Sequence, residues 1–209
     1  MTGERELTCV VADDHPAILD CVTRYLEAAG MSVPAAVPDG AEALAAVLRL
    51  RPDVCIADVA MPQLDGVALA RELADAAPET AVLVYSGSAD AALATEALGA
   101  GARGYALKDG PLSDLERAIR TVAAGGVYVD PVLAAVLAAP SRDTPKPLSG
   151  RELDVLRLLA EGGSYVEIGT ALSVSPDTVR SHMQRAMTKL GARTRTQAVA
   201  LAYRHSLLG

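Results

Sequence analysis

The front of the chain alternates short apolar runs with segments of helical periodicity. The runs begin about 25 residues apart, which leaves room for one helix between each pair of strands. Between the first two runs, Ile18, Val22 and Leu26 recur at helical spacing. Such an alternation is typical of a parallel sheet that is covered by helices on both faces. The five predicted strands are Leu7–Ala12, Ser32–Val37, Val54–Ala57, Ala81–Tyr85 and Gly104–Leu107.

A proline-rich stretch separates this segment from a helical one. Residues 139–147 hold three prolines, mixed charges and no apolar pattern, which predicts a linker. The pattern after the linker predicts four helices, and three of them begin with a capping box, in which Glu or Gln follows Ser or Thr by three residues. The boxes are Ser149–Glu152, Ser164–Glu167 and Thr194–Gln197, and the remaining helix begins at Ser175 followed by Pro176.

The net charge of −7 conceals an uneven distribution. Residues 1–145 hold 10 Lys and Arg against 21 Asp and Glu, a net charge of −11, whereas residues 146–209 hold 9 against 5, a net charge of +4. An acidic front and a basic back indicate two domains with different partners. The chain has no Trp or Phe, which disfavours modules that stack bases on aromatic platforms.

The cysteines and the absence of long apolar stretches indicate the compartment. The three cysteines form no CxxC pair, and Cys9 and Cys55 lie in apolar runs, where Cys usually packs as a small hydrophobic residue. The first residues do not resemble a signal peptide. No apolar stretch approaches the roughly 20 residues of a membrane-spanning helix. We therefore expect a soluble cytoplasmic protein with no membrane partner.

Polar side chains stand at the ends of four predicted strands. Asp13 and Asp14 follow the first strand, Asp58 follows the third, and Ser86 and Lys108 stand at the ends of the fourth and fifth. If the strand order is 2-1-3-4-5, the first and third strands are neighbours where the order reverses, which is where open parallel sheets bind ligands. Like charges about 4 Å apart repel by roughly 4 kcal/mol at an effective dielectric near 20, so the three carboxylates need shared protons or a cation.

The chemistry of this group of side chains favours phosphoryl transfer. Hard oxygen ligands with open positions suit Mg²⁺. An aspartate can act as a nucleophile, while a metal ion, a hydroxyl and a lysine neutralise the oxygens of the transferred group. Taken singly, each acid could be a solvated loop residue, Lys108 a solvated charge or helix cap, and Ser86 a turn residue. His15 could act as a base, but we interpret it as a loop or cap residue.

The third helix of the back segment has two contrasting faces. Apolar residues recur with the spacing of an inward face at Val179, Met183, Ala186, Met187 and Leu190. The opposite face carries the basic and hydrogen-bonding side chains of Arg180, Ser181, Gln184, Arg185 and Thr188. A face that can donate to guanine edges and phosphates suits the major groove of DNA. The residues alone are also compatible with a solvated helix face or a dimer contact. We interpret His182 as structural.

Four motifs of the front segment closely resemble the receiver domain of bacterial response regulators. They are Asp13-Asp14-His15-Pro16, Asp58-Val-Ala-Met61-Pro62-Gln-Leu-Asp65-Gly66, Tyr85-Ser86-Gly87 and Gly104-Tyr105-Ala-Leu-Lys108-Asp109. The resemblance implies a flavodoxin-like fold with Asp58 as the phosphoacceptor. It also implies Mg²⁺ bound by Asp13, Asp14, Asp58 and the backbone carbonyl of Ala60. By the same resemblance, Ser86 and Lys108 bind the phosphoryl group and Tyr105 is the switch aromatic, although Tyr105 could equally be a half-buried strand residue.

The back segment strongly resembles the LuxR-type DNA-binding domain over essentially all of residues 148–208. The resemblance rests on Leu148-Ser-Gly-Arg-Glu152, Leu172-Ser-Val-Ser175-Pro-Asp-Thr178-Val179-Arg180-Ser-His182 and Lys189-Leu190-Gly191-Ala192-Arg193. It implies base reading by Arg180, Ser181 and Gln184. It implies phosphate contacts by Thr178, Arg185, Lys189 and Arg195. Departures from the family pattern bear on base preference and affinity, and they stand at Tyr165-Val166, Gly169 and Gln184.

Together the two resemblances imply a NarL/FixJ-type two-component response regulator. The expected architecture is an α/β doubly wound, five-stranded parallel sheet of order 2-1-3-4-5 in residues 1–138, a linker at 139–147 and an all-α four-helix helix-turn-helix domain in residues 148–209. A sensor histidine kinase would phosphorylate Asp58, and a homodimer would then bind paired half-sites of promoter DNA about 10 base pairs apart. RNA polymerase is a candidate further partner. Slow autodephosphorylation would not make the protein a turnover enzyme.

Three other functions compete with this interpretation. An aspartyl phosphatase or phosphotransferase would carry a second acid two residues after Asp58, where Ala60 stands. A back domain that binds protein or RNA is the second alternative, but the RNA-binding output found beside receivers is a helical coiled-coil type, unlike the capped four-helix pattern. A LuxR-type sensor of small molecules would have an apolar, aromatic-lined pocket in place of the acidic one.

Overall fold

A computed structural model of the chain describes residues 6–137 and 147–208. In its front part, six parallel strands form one sheet in the order β2-β1-β3-β4-β5-β6. The strands are β1 (Thr8–Ala12), β2 (Ser32–Val37), β3 (Val54–Ala57), β4 (Ala81–Ser86), β5 (Gly104–Leu107) and β6 (Tyr128–Val129). The helices of this part are α1 (Pro16–Ala28), α2 (Gly40–Leu50), α3 (Gly66–Ala76), α4 (Ala91–Ala100), α5 (Leu112–Ala123) and α6 (Pro131–Leu137). The predicted order 2-1-3-4-5 is confirmed.

The helices cover both faces of the sheet, which explains the apolar character of its central strands. Alternate residues of a strand point to opposite faces. Val10 and Cys55 therefore pack in the cluster that includes side chains of α2, α3 and α4, whereas Val11 and Ile56 pack in the cluster that includes side chains of α1 and α5. Every residue of β3 and β4 is buried, but β2 lies at an edge and is only partly buried.

Two elements of the sheet domain add to the five predicted strands and the helices between them. β6 extends the sheet beyond β5, and α6 follows it. β6 is two residues long, too short for a periodicity to appear. α6 does carry a start signal, because Asp130 and Pro131 are a cap residue and a first-turn proline.

The back part consists of four helices, as predicted: α7 (Gly150–Ala160), α8 (Tyr165–Leu172), α9 (Pro176–Leu190) and α10 (Arg195–Arg204). The capping boxes at Ser149 and Ser164 are complete. Only one of the two hydrogen bonds of the predicted capping box at Thr194 forms. Its hydroxyl accepts the N–H of Gln197, but the Gln197 side chain accepts the N–H of Arg193 at 2.6 Å instead of reaching Thr194.

The two parts pack against each other through α10. Ala200 of α10 joins the apolar cluster of the sheet domain, and Val127 of the sheet domain joins the core of the helical part. The hydroxyl of Thr194 donates to the carbonyl of Leu98 in α4. The predicted linker, apart from Pro147, lies outside the described residues, and the predicted domain boundaries stay predictions. Within the described ranges, none of the helices combines the length and apolar content that a membrane crossing needs.

Candidate functional site

The carboxyl ends of four neighbouring strands bring the predicted site residues together. Ala12 of β1 pairs with Ala57 of β3, so the aspartates that follow them lie side by side. β4 and β5 pair in the same way, and Ser86 pairs with Leu107, which directly precedes Lys108. A cavity of about 430 Å³ at this edge is lined by Asp58, Ala60, Ser86, Lys108 and His15, among others.

Lys108 joins the two buried aspartates of the site. Its Nζ lies 2.6 Å from Oδ2 of Asp13 and 3.1 Å from Oδ1 of Asp58. Asp13 is 2% exposed and Asp58 is 7% exposed, so water screens these charges only weakly. One ammonium stands against two carboxylates, which leaves the site with a negative charge that a cation can balance.

The environment of Asp58 acts on its carboxyl in opposite directions. Burial raises the pKa of Asp58, the Lys108 ammonium lowers it, and the nearby Asp13 raises it, so that the pKa stays above its ordinary value. The N–H of Val59 also donates to Oδ1 of Asp58 at 2.8 Å. A divalent cation at this place would favour the ionised form, which is the nucleophilic one.

The acids of the site are close enough to share a cation. Ligand atoms of Asp13, Asp14, Asp58 and His15 all lie within 4.8 Å of one another. Nδ1 of His15 is 2.7 Å from Oδ1 of Asp14, so this imidazole is already engaged with a carboxylate. His15 stands at the N-cap position of α1 but makes no cap bond with its side chain. The carboxylate oxygens are ligands that suit a hard divalent ion such as Mg²⁺.

Ser86 and Tyr105 both bind the loop that follows β4. Oγ of Ser86 accepts the N–H of Ser88 at 3.1 Å, and the hydroxyl of the fully buried Tyr105 donates to the Ser88 carbonyl at 3.0 Å. Tyr105 is thus connected to the cavity through Ser88. Sequence reasoning missed Ser88, because nothing in the pattern distinguishes its backbone from that of any other loop residue.

The base-reading face predicted on α9 is open to solvent. Val179 and Met183 are buried in the domain core, and Arg180, Ser181, Gln184 and Arg185 are exposed. The Arg180 side chain is 71% exposed, with the Asp177 carboxylate 3.7 Å away as a weak partner. The α8–α9 pair therefore presents a helix-turn-helix surface that the sheet domain leaves uncovered at these residues.

The residues predicted to contact phosphates have other partners within the chain. The Lys189 ammonium is 2.7 Å from Oε2 of Glu152, and the Arg195 guanidinium lies 5.6 Å from the centre of the Tyr165 ring. The Thr178 hydroxyl is 2.9 Å from that of Ser175. Arg185 alone of the predicted set is exposed with no such partner among the described residues. These phosphate contacts stay predictions.

The Glu152–Lys189 pair predicts a pH-dependent loss of stability in Lys189→Ala. Burial disfavours the charge of Glu152, which is 3% exposed, but Lys189 and the Ser149 N–H outweigh burial and lower its pKa below 4.5. A depressed pKa stabilises the fold above the unfolded-state value, and this contribution disappears as the pH falls through the folded-state value. We expect Lys189→Ala to lower the free energy of unfolding by about 1–3 kcal/mol at neutral pH. The deficit should shrink as the pH falls through the folded-state pKa of Glu152.

Urea unfolding of the wild type and the variant, at neutral pH and at a pH below the folded-state pKa of Glu152, measures this effect. Arg185→Ala is the matched control, because it removes an exposed cation from the same helix. A Lys189→Ala deficit that is equal at the two pH values, or no larger than that of Arg185→Ala, would contradict the assignment.

Comparison with protein families identifies both parts of the chain. The model of the response regulator receiver domain matches residues 9–120. The model of the bacterial regulatory proteins of the luxR family matches residues 146–202. These segments contain the acidic cavity and the exposed face of α9, respectively.

Known proteins share the same two-part organisation. The chain is 38% identical over 204 residues to the probable transcriptional regulatory protein NarL of Mycobacterium tuberculosis, covering 95% of this chain and 94% of that protein. It is 36% identical over 212 residues to the oxygen regulatory protein NreC of Staphylococcus aureus, covering 95% of this chain and 98% of that protein. Its fold is similar to that of RcsB in a structure of two RcsB dimers bound to two parallel DNAs, with a TM-score of 0.59, 27% identity, and coverage of 98% of this chain and 100% of that one. The chain therefore belongs to the NarL/FixJ-type response regulators, and it controls transcription by binding DNA rather than acting as a turnover enzyme.

Proposed function

We propose that Asp58 accepts a phosphoryl group from a phosphohistidine of a sensor kinase and that this modification controls DNA binding. The observation that carries the proposal is the contact of Lys108 with both Asp13 and Asp58 at one end of a solvent-accessible cavity. An Asp58 oxygen forms a bond to phosphorus while the bond from phosphorus to the histidine nitrogen breaks, and that nitrogen retains the electron pair and takes up a proton. The product is an acyl phosphate on Asp58.

The surrounding residues are assigned roles by their positions. Asp13, Asp14, Asp58 and the Ala60 carbonyl would hold Mg²⁺, which would neutralise negative charge on the phosphoryl oxygens. Lys108 would exchange a carboxylate partner for a phosphoryl oxygen, and the Ser86 hydroxyl would donate to another.

The same residues favour a long-lived acyl phosphate on Asp58 over rapid hydrolysis. Ala60 provides no second acid to activate a water molecule, so the acyl phosphate would be lost slowly. The new charge of about −1.5 to −2 would thus persist long enough to bias the rest of the domain, with Tyr105 and its Ser88 contact as the switch.

Removal of the divalent cation tests this assignment. We expect the wild-type chain, given acetyl phosphate, to gain the mass of one phosphoryl group with Mg²⁺ and to gain none when EDTA is present. Asp14→Asn should need a higher Mg²⁺ concentration for the same yield, because it removes one anionic ligand. Asp20→Asn, an exposed change on α1, is the control and should behave as wild type. Uptake that is independent of the cation would contradict the proposed metal site.

We propose that phosphorylation acts on pairing of the DNA-binding domains. In this arrangement the sheet domain holds α10 and leaves Arg180 and Gln184 exposed, so base reading is not blocked. A net charge of +4 on residues 146–209 implies few phosphate contacts and weak binding by one domain. Two domains on half-sites about 10 base pairs apart would roughly double the electrostatic contribution. The RcsB dimers on DNA support this mode, and RNA polymerase is the proposed further partner.

A substitution at Gly126 should separate the two domains. A Cβ at Gly126 would overlap the carbonyl oxygen of Gly162 in the helical part, and Gly126 does not have a positive φ angle that would strain alanine by itself. We expect Gly126→Ala to give a larger radius of gyration in small-angle X-ray scattering. Gly150→Ala is the control, since a Cβ there meets no atom within 4 Å. An unchanged radius for Gly126→Ala would contradict the packed arrangement.

A further inference from the structure

The helix α6 joins the sheet domain to the helical part. Its buried residues Leu133 and Leu137 belong to the same apolar cluster as Leu98 of α4 and Ala200 of α10. Tyr203 of α10 packs against this cluster as well. The position of α6 therefore determines part of the surface on which α10 rests.

Asp130 fastens the start of α6 to the end of β5. Its backbone N–H donates to the carbonyl of Tyr105 at 2.9 Å. Its Oδ2 accepts the N–H of Leu107 at 3.4 Å, and Leu107 directly precedes Lys108. Its Oδ1 accepts the N–H of Val132, in the first turn of α6, at 2.9 Å. One carboxylate thus bonds the phosphoryl-binding edge of the sheet with one oxygen and the start of α6 with the other.

Burial makes these hydrogen bonds difficult to replace. Asp130 is 6% exposed, so water has little access to a carboxylate oxygen that loses its protein donor. An unsatisfied buried acceptor is costly, and more so when it is charged. A shift of Leu107 would therefore leave Oδ2 of Asp130 without its donor unless Asp130 and the start of α6 moved with it.

We propose that Asp130 is the positioning residue that couples the phosphoryl-binding edge to the docking of α10. When Lys108 turns from Asp13 and Asp58 to the phosphoryl group, the adjacent Leu107 moves, Asp130 carries this movement to α6, and the contact with α10 loosens. This route runs through Leu107, next to the Tyr105–Ser88 contact. The inference rests on the proposed phosphorylation of Asp58.

Asp130→Asn distinguishes the coupling from the helix cap. Asparagine and aspartate are about equally good N-cap residues, so the carbonyl oxygen of Asn can still accept the N–H of Val132. The amide nitrogen that replaces Oδ2 cannot accept the N–H of Leu107. We expect the variant to fold and to take up a phosphoryl group from acetyl phosphate as fully as wild type.

Asp39→Asn is a matched control at the other end of the sheet. Asp39 is also 6% exposed, accepts the N–H of Glu42 in the first turn of α2 with one oxygen and accepts the Gln63 amide with the other. Like Asp130, it is buried and uses one carboxylate oxygen for the helix cap and the other for a second partner. However, α2 does not lie between the site and α10. We expect Asp39→Asn to leave coupling unchanged.

Two measurements on the full chain test the proposal. The first is the ratio of DNA affinities with and without acetyl phosphate, on a duplex selected by the wild type from random sequences. We expect this ratio to be in the range of about 5–150-fold for the wild type and for Asp39→Asn, and to approach one for Asp130→Asn. The second is hydrogen exchange of the α10 amides before and after acetyl phosphate, which phosphorylation should accelerate in the wild type and in Asp39→Asn but not in Asp130→Asn.

The outcomes distinguish failure of this inference from failure of the proposed function. An Asp130→Asn chain with the wild-type affinity ratio and the wild-type acceleration of α10 exchange overturns the role of Asp130. A wild-type ratio of one, despite full phosphoryl uptake, overturns control of DNA binding by Asp58. In that case, α10 exchange that phosphorylation accelerates in the wild type but not in Asp130→Asn still supports the coupling by Asp130, and an equal acceleration in both chains overturns it.

Discussion

Asp58→Asn should abolish phosphoryl uptake completely. The wild-type chain, incubated with acetyl phosphate and Mg²⁺, should gain the mass of one phosphoryl group, and the variant should gain none. The substitution removes the carboxylate that attacks phosphorus and the negative charge that lies 3.1 Å from the Lys108 ammonium. The amide is close in shape, so the loss reports chemistry rather than unfolding. Mass spectrometry of the intact protein measures the effect.

Asp109→Asn is the matched control for this experiment. Asp109 follows Lys108 directly in the chain, but its side chain is exposed and it has no ion pair among the described residues. Its replacement should leave phosphoryl uptake at the wild-type level. Uptake by Asp58→Asn, or no uptake by the wild type, would contradict the assignment of Asp58 as the phosphoacceptor.

Arg180→Ala and Gln184→Ala should each weaken binding to the selected DNA site by about 1–3 kcal/mol and relax its sequence preference at one position. The reason is that both side chains lie on the exposed face of α9, where they can reach base edges in the major groove. Fluorescence anisotropy with the selected duplex and with single-base variants of it measures both effects.

Arg157→Ala is the control for charge, because Arg157 is an exposed cation on α7 rather than on α9. It should change specific binding little. Arg185→Ala should weaken binding to all sequences similarly and reduce the salt dependence by about one phosphate contact. If Arg180→Ala also weakens binding to all sequences equally, Arg180 contacts phosphate and does not read bases.

The sheet and its strand order were predictable because buried strands are apolar in sequence. A strand covered on both faces is a continuous apolar run, and Val54–Ala57 and Gly104–Leu107 were predicted with the observed ends. The site residues followed from position alone, since carboxyl ends of parallel strands meet at one edge. The complete capping boxes of α7 and α8 were equally legible, because they depend on residues three apart.

The remaining features depend on contacts between residues far apart in the chain. Gly126 looks like an ordinary turn residue until the carbonyl of Gly162 is seen against it. The Glu152–Lys189 pair spans 37 positions and joins a capping residue to one predicted to contact DNA. No local pattern could have revealed either contact. The docking of α10 on α4 and α6 was hidden for the same reason, since its residues also have the apolar spacing of their own domain.

The affinity of the phosphorylated chain for DNA shows whether phosphorylation of Asp58 controls DNA binding. The selected duplex is titrated with wild type and with Asp58→Asn, each before and after incubation with acetyl phosphate and Mg²⁺, with uptake verified by mass. We expect treatment to tighten wild-type binding by about 5–150-fold, the usual range for coupling between two sites, and to leave Asp58→Asn unchanged. Equal affinities of the fully phosphorylated and untreated wild type would contradict this control.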